Sequence, residues 1–405
     1  MLTVDEAQTL VLDSVSALPA ERMPLLKALG CVLAEPVVAP IPLPPFDNSA
    51  MDGFAVIAED TRGATPETPR ALKVIEELPA GRAPQCRVQP GTAARIMTGA
   101  PVPAGAEAVV MVEHTRPGLP GEVEVLAAAE AGDNIRPCGE DIAAGEVALA
   151  AGLVLGPGEL GLAAALGSTQ VAVIRPPRAA IVTTGSELVA PGEKLRPGAI
   201  YNSNQVAIAG SVLAAGAEIS CCRHVADDEA AVAEALAECG DADLIITVGG
   251  VSVGDYDFVK TALQRVGEIK FWRLLMKPGK PLAFGHVAGR PLFGLPGNPV
   301  SALVTFELLV APALRKLAGR CQCLPVAIRA RLLSDLSHKP PRREYVQALT
   351  RRADDGYVVQ PHAKRGSAML TSTVGANSLV VLAEESRGAR AGDLVEVIPL
   401  AGAGL

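Results

Sequence analysis

From residue 178 to residue 319 the sequence alternates between short apolar runs and stretches with helical periodicity. "AAIVTTG" leads into "NSNQVAIAGSVLAAGA", "EISCCRHV" into a helical stretch at 227–238, and "DLIITVG" into another at 258–266, with a last helix from Pro299. Apolar strands separated by helices of this length predict a parallel sheet covered on both faces. Such sheets bind their ligands at the carboxyl ends of the strands. At 405 residues the chain is too long for one ordinary core, so about two to four domains are expected.

The flanks read differently. Val4, Ala7, Leu10 and Val11 recur at helical spacing behind a Thr3/Glu6 capping box, so residues 3–35 are expected to be helical and to belong to a small scaffold. "APIPLPPFDNSAMDGFAV" is a proline-stiffened extended segment ending on a turn, suited to presenting polar groups rigidly. Residues 46–138 break into short strands between Pro and Gly, and a weak helical pattern returns over 139–177. We therefore expect a discontinuous helical scaffold (1–45 and 139–177) with an inserted β-rich module (46–138), an α/β domain (178–319), and a small β domain (320–405) containing "EYVQAL", "GYVVQ" and "LVEVI".

A net charge of -8 with no large Lys/Arg stripe argues against a nucleic-acid partner, so an anionic ligand must be held locally. The acidic "MLTVDE" start and the lack of an apolar run of membrane-spanning length predict a soluble, cytoplasmic protein with no membrane partner. The eight cysteines form no C-x-x-C pair and read as small hydrophobes or idle thiols; a Cys nucleophile is poorly supported, and Cys138, the best candidate for one, reads as structural. The five histidines show no metal-ligand spacing.

Four loops carry polar groups where the strand-end rule would put a site. "TTGSE" ends in Glu187, and "ITVGGVSVGDYD" contains Gly249, Gly250, Ser252, Asp255 and Asp257. "LLMKPGKP" brings Lys277 and Lys280, and "LFGLPGNPVSA" brings Pro296, Asn298, Pro299 and Ser301. Each has a plainer alternative: the Gly pair as a tight turn, Asp255 as a helix cap, the lysines as a solvated turn, Asn298 as an N-cap alone. No Walker lysine follows the Gly pair, so a P-loop is excluded. Taken together the loops suit a phosphate or oxyanion held by backbone N–H groups and the two lysines. Glu187, Asp227, Asp228, Asp255 and Asp257 are oxygen ligands suited to Mg2+, which would explain carboxylates beside a phosphate.

These residues resemble the molybdopterin molybdenumtransferase family, the bacterial MoeA proteins and the E domain of gephyrin. "PPFDNSAMDGFAV", "RIMTGAPVPAGAEAVV", "NIRPCGED", "TTGSEL", "ITVGGVSVGDYDFVK", "MKPGKP", "GLPGNPVSA" and "RREYVQ" occur in the family's order across essentially the whole chain. The resemblance implies a molybdopterin-binding α/β domain, a barrel-like C-terminal domain and an elongated homodimer. Its active cleft would lie between the α/β domain of one subunit and the inserted module of the other. It implies a magnesium-dependent transferase that takes adenylylated molybdopterin and molybdate, releases AMP and leaves molybdenum on the dithiolene sulfurs. By matching positions, Asp52 and Thr98 would reach the partner's cleft. Asp141, Glu187, Asp227 and Asp257 match acidic functional positions, with Asp255 an additional metal candidate. Lys277 and Lys280 match a lysine pair, Pro296 and Pro299 a rigid loop, and Arg342 or Arg343 with Ser367 the pterin-side or oxyanion-side contacts.

Two positions depart from the family pattern: Phe54 stands where Tyr is more usual, and Ser186 where Asp is often found. The resemblance also implies a molybdopterin adenylyltransferase as partner, with apo-molybdoenzymes or their chaperones downstream. Two rival readings share the fold: a receptor-clustering scaffold, as in gephyrin, and a paralogue handling tungstate.

Overall fold

The computed structural model describes residues 1–250 and 267–400. Its centre is a six-stranded sheet in the order Glu218–Val225, Arg178–Thr184, Leu244–Val248, Arg290–Leu295, Pro281–Val287, Gly267–Arg273. The first four strands are parallel, as the alternation predicts, but the last two pair antiparallel, so the sheet is mixed. The cause is local. Only Ala288 (φ 48°) and Gly289 (φ 78°) separate Pro281–Val287 from Arg290–Leu295, a two-residue turn that permits a hairpin and no crossover helix. Because the Pro281 strand runs backwards, it begins at the edge where its parallel neighbours end.

Leu244–Val248 is buried at every position, as a strand covered on both faces must be. One face packs on Ile208 and Val212 of helix Ser203–Ala214 and on Val300, Val304, Phe306 and Leu314 of the 299–317 helical run. The other packs on Val232 and Leu236 of helix Glu229–Ala237. The 299–317 run widens into a π turn at Phe306–Val310 just before Pro312, which has no N–H to give.

The helix expected over 3–35 is confined to Val4–Asp13. Its capping box forms, with Glu6 N–H donating to the Thr3 hydroxyl (3.2 Å) and Thr3 N–H to the Glu6 carboxylate (2.8 Å). Pro19 and Pro24 keep the helix from resuming, and Ala20–Pro24 joins Gln170–Ile174 and Val32–Leu33 in a small three-stranded sheet. Val4, Ala7 and Val11 bury in the central α/β core and not in the scaffold. Gly53–Val56 lies inside a separate six-stranded sheet with apolar clusters on both faces.

The C-terminal region is a closed barrel. Arg343–Ala353 pairs with both Gly356–Pro361 and Ser378–Leu382, which closes a ring through Ile328–Leu332 and Leu394–Pro399. A two-residue strand, Met276–Lys277, leaves the central sheet and pairs with the barrel at Arg343 and Glu344. That junction carries the first lysine to the barrel wall.

Candidate functional site

The parallel strands end together on a cavity of about 720 Å³. Strand Arg178–Thr184 delivers Thr184 and Glu187, strand Leu244–Val248 delivers Gly249 and Gly250, and strand Arg290–Leu295 delivers Pro296, Asn298 and Pro299. Gly249 sits at φ 96°, and a Cβ there would lie 2.6 Å from the Thr184 carbonyl oxygen. Glycine is thus required to bring the two strand ends into contact. Among the described residues the buried Thr184 hydroxyl has no hydrogen-bond partner, and neither does the Asn204 side-chain oxygen on the same wall, whose amide donates to Gly297 O at 2.7 Å. Two oxygens taken from water without compensation face this cavity's lining.

Glu187 and Asp227 are its carboxylates among the described residues. Ser186 N–H donates to Asp227 Oδ2 at 3.0 Å, and Asp227 N–H to the Ser186 hydroxyl at 3.4 Å, so the two loops lock each other. Asp228 is differently used: its Oδ1 accepts from Ala231 N–H at 2.9 Å and caps helix Glu229–Ala237. Asp255, Asp257 and Ser252 lie outside the described residues. Among the described residues no group of three or more His, Cys, Asp or Glu is placed to hold a metal. Two carboxylates with neutral oxygens beside them still fit magnesium, which is usually held by one or two carboxylates plus substrate phosphates and water.

A second cavity, about 330 Å³, adjoins the first across Pro281, Pro296 and Asn298. It is lined by Lys277, Lys280, Arg342 and Arg365, with Ser301 and Ser367 beside them. Gly279, at φ 104°, puts the lysine turn hard against the first helix of the 299–317 run, since a Cβ there would be 2.5 Å from Thr305 Cγ2. Lys277 pairs with Glu344 at 2.7 Å, whereas Lys280, Arg342 and Arg365 pair with no carboxylate among the described residues. Asn298 occupies the N-cap position but does not cap: its amide donates to the Ser367 hydroxyl at 3.1 Å, and Val300 N–H donates to Ser367 O at 3.1 Å. The helix start is therefore a latch for the barrel's Ser367 loop. Tyr345, also in the lining, is buried, which pushes its hydroxyl up to about 12 and keeps it protonated.

Arg343 is a correction to the paired expectation. Arg342 lies in the bend just before the barrel strand and lines the cavity, whereas Arg343, the first residue of the strand, turns to Asp5 (2.6 and 2.8 Å) and Glu384 (3.0 Å). Glu344, Arg365 and Asn204 are lining residues that sequence reasoning did not single out. Only Asn204 carried a signal, as a second Asn in "YNSNQ" at a strand-to-helix junction.

Asp52, Thr98 and Asp141 line neither cavity. Asp52 and Thr98 form one exposed unit, with the Thr98 N–H and hydroxyl both 2.7 Å from Asp52 Oδ1. The Thr98 N–H first, then its hydroxyl, hold the Asp52 carboxyl below the usual carboxylate range. Phe54 packs in the apolar core of the same module, with Val56 and Val110.

A mixed α/β sheet with an acidic and a cationic cavity at its strand ends, bolted to a closed barrel, is the architecture of a multidomain transferase of the MoeA type. Residues 2–167 match the MoeA N-terminal region (domain I and II), residues 180–316 the probable molybdopterin binding domain, and residues 329–400 the MoeA C-terminal region (domain IV). The chain is 36% identical to the molybdopterin molybdenumtransferase of Haemophilus influenzae, over 98% of each protein. It is 48% identical to molybdopterin molybdenumtransferase 2 of Mycobacterium tuberculosis, over 79% of this chain and 80% of that one. The crystal structure of a molybdopterin biosynthesis MoeA protein from Pyrococcus horikoshii superposes with a TM-score of 0.84 at 32% identity, covering 99% of this chain and all of that one. The chain belongs to the molybdopterin molybdenumtransferase family.

Proposed function

We propose that this transferase inserts molybdenum into molybdopterin, taking adenylylated molybdopterin and molybdate and releasing AMP in a magnesium-dependent reaction. The observation that carries this reading is charge segregation across one shared wall. Glu187 and Asp227 line one side of Pro296 and Asn298, and Lys277, Lys280 and Arg342 line the other, in a chain of net charge -8. A phosphoanhydride with its metal suits the first side, and a tetrahedral oxyanion suits the second.

Glu187 and Asp227 would hold Mg2+, joined by Asp257 and Asp255 from the loop outside the described residues. Bound there, the ion would neutralise charge developing on the phosphoanhydride. Gly249, Gly250 and Ser252 would follow the phosphate backbone. Lys280, Arg342 and Ser367 would hold the oxyanion, with Lys277 and Ser301 beside them. The rigid Pro296–Pro299 wall would keep the two ligands within reach while excluding water.

Asp52, Thr98 and Asp141 enter this scheme through a second copy of the chain. They are polar, exposed and away from their own subunit's cavities, which suits a homodimer in which one subunit's module completes the other's cleft. We place the protein in the cytoplasm, receiving its substrate from a molybdopterin adenylyltransferase and passing product to apo-molybdoenzymes or their chaperones. Among the described residues no helix is long and apolar enough to cross a membrane.

The test is AMP release from adenylylated molybdopterin with magnesium, with and without molybdate. Molybdate-dependent release, with a product that reconstitutes an apo-molybdoenzyme, is expected. Tight binding without turnover would favour a scaffold role, and a response only to tungstate would reassign the oxyanion.

A further inference from the structure

Within the cationic cavity, Lys277 alone of the four cations has a carboxylate on it among the described residues, and that carboxylate is built in. Parallel pairing of Met276–Lys277 with the barrel strand Arg343–Ala353 sets Lys277 directly opposite Glu344. Glu344 is only 8% exposed, lines the same cavity and reaches Lys277 Nζ with Oε1. Its other oxygen, Oε2, is 2.8 Å from Nδ1 of His338, whose side chain is 1% exposed. An ionised carboxylate can only accept, so Nδ1 carries the proton. Nε2 of His338 is buried without a partner among the described residues. Glu344 is thus held between buried His338 and Lys277, and Lys277 is the side of that bridge that lines the cavity.

We propose that Glu344 is a built-in counter-ion that positions Lys277 at the cavity wall and restrains its pull on a tetrahedral dianion. This rests on the cationic cavity being the oxyanion site. Lys280, Arg342 and Arg365 make the first capture, and Lys277 is shared with the ligand only as far as it is released from Glu344. Glu344 is then a positioning and specificity residue, setting how tightly a dianion is held without itself touching the reacting atoms.

The experiment is calorimetric titration of the full-length protein with molybdate alone, and with sulfate as a competing dianion, in the absence of pterin. Glu344→Gln keeps the size and an oxygen acceptor for Lys277 but removes the charge, and is expected to tighten molybdate binding by about tenfold or more. Lys277→Met is expected to weaken binding only a few-fold in the natural chain but about tenfold or more in the Glu344→Gln background. A residue that merely held the fold together would not produce tightening or this coupling. Unchanged or weaker binding by folded Glu344→Gln, or an equal Lys277→Met effect in both backgrounds, would overturn the proposal. Should Glu344→Gln fail to fold, Lys277→Met alone decides, because a tenfold loss in the natural chain would show a lysine not committed to Glu344. If the natural chain and Lys280→Met take up molybdate equally poorly, the oxyanion reading fails and this proposal with it. If Lys280→Met loses binding and Glu344→Gln gains none, this proposal alone falls.

Discussion

The two cavities share a wall and are built in opposite ways. Around the acidic cavity, Asp227 is fixed by the backbone of a neighbouring strand-end loop, and Gly249 brings two adjacent parallel strands into contact. Around the cationic cavity, Lys277 is fixed by Glu344 and Asn298 by Ser367, both partners arriving from the barrel. The first takes its fixed polar groups from the strand ends of one sheet, with Ala368 and Leu370 of the barrel's loop only closing its lining, whereas the second is held in place by contacts between sheet and barrel. Damage to the first should fall on turnover, whereas damage to the second should fall on ligand affinity.

The largest expected effect comes from Asp227→Asn. Asn keeps an oxygen for Ser186 N–H, so the loop should hold while one of the carboxylates proposed to hold magnesium loses its charge. Magnesium-dependent AMP release should drop by about 100-fold or more, with molybdate binding unchanged. A drop below about threefold would remove the ion from this cavity and erase the contrast.

Gly249→Ala should act on the same side through the backbone. Its Cβ would meet the Thr184 carbonyl at 2.6 Å, at a φ that L residues rarely adopt. A loss of about 2 kcal/mol in unfolding free energy is expected from denaturant titration, with turnover falling further than molybdate affinity. Unaltered stability would mean that the strand ends are not tightly apposed.

The contrast also explains what could be read from the chain beforehand. The strand ends were legible because apolar runs, glycine turns and the parallel-sheet rule all act over short sequence distances, so Glu187, Gly249 and Pro296 could be placed from local pattern. Lys277 and Glu344 lie far apart in sequence and meet only through the strand pairing between sheet and barrel, so no local signal marked them as a pair. Arg342 and Arg343 could be separated only once the start of the barrel strand was known, since the strand begins at Arg343 and leaves Arg342 in the bend before it. The helix expected over 3–35 failed for a third reason. Its first turns had the right period and cap, but Pro19 and Pro24 outweighed the apolar residues beyond them.

On the cationic side, Lys280→Ala should weaken molybdate binding by about tenfold, since its ammonium pairs with no carboxylate among the described residues. Lys277→Ala should cost only a few-fold, because its ammonium is already shared with Glu344. Calorimetry on both variants, with thermal unfolding as a control, checks the order. Equal losses would mean that the Glu344 pair is absent in solution, and losses matched by large drops in stability would make the lysine turn structural.

Ser186→Ala should have the smallest effect, and for that reason it tests how the acidic cavity is built. Ser186 stands where the family often has Asp, so a carboxylate that could join Glu187 is absent here. Its hydroxyl accepts the Asp227 N–H at 3.4 Å, near the limit for a hydrogen bond, whereas the shorter 3.0 Å bond to Asp227 Oδ2 comes from the Ser186 backbone. Alanine removes the weak contact and leaves the stronger one. We expect turnover within about twofold of the natural chain and a stability change of about 0.5 kcal/mol or less. A tenfold loss of turnover at unchanged stability would mean that the hydroxyl itself serves the metal or phosphate. The side chain at 186, and not the backbone alone, would then organise the acidic cavity, bringing it closer in kind to its cationic neighbour.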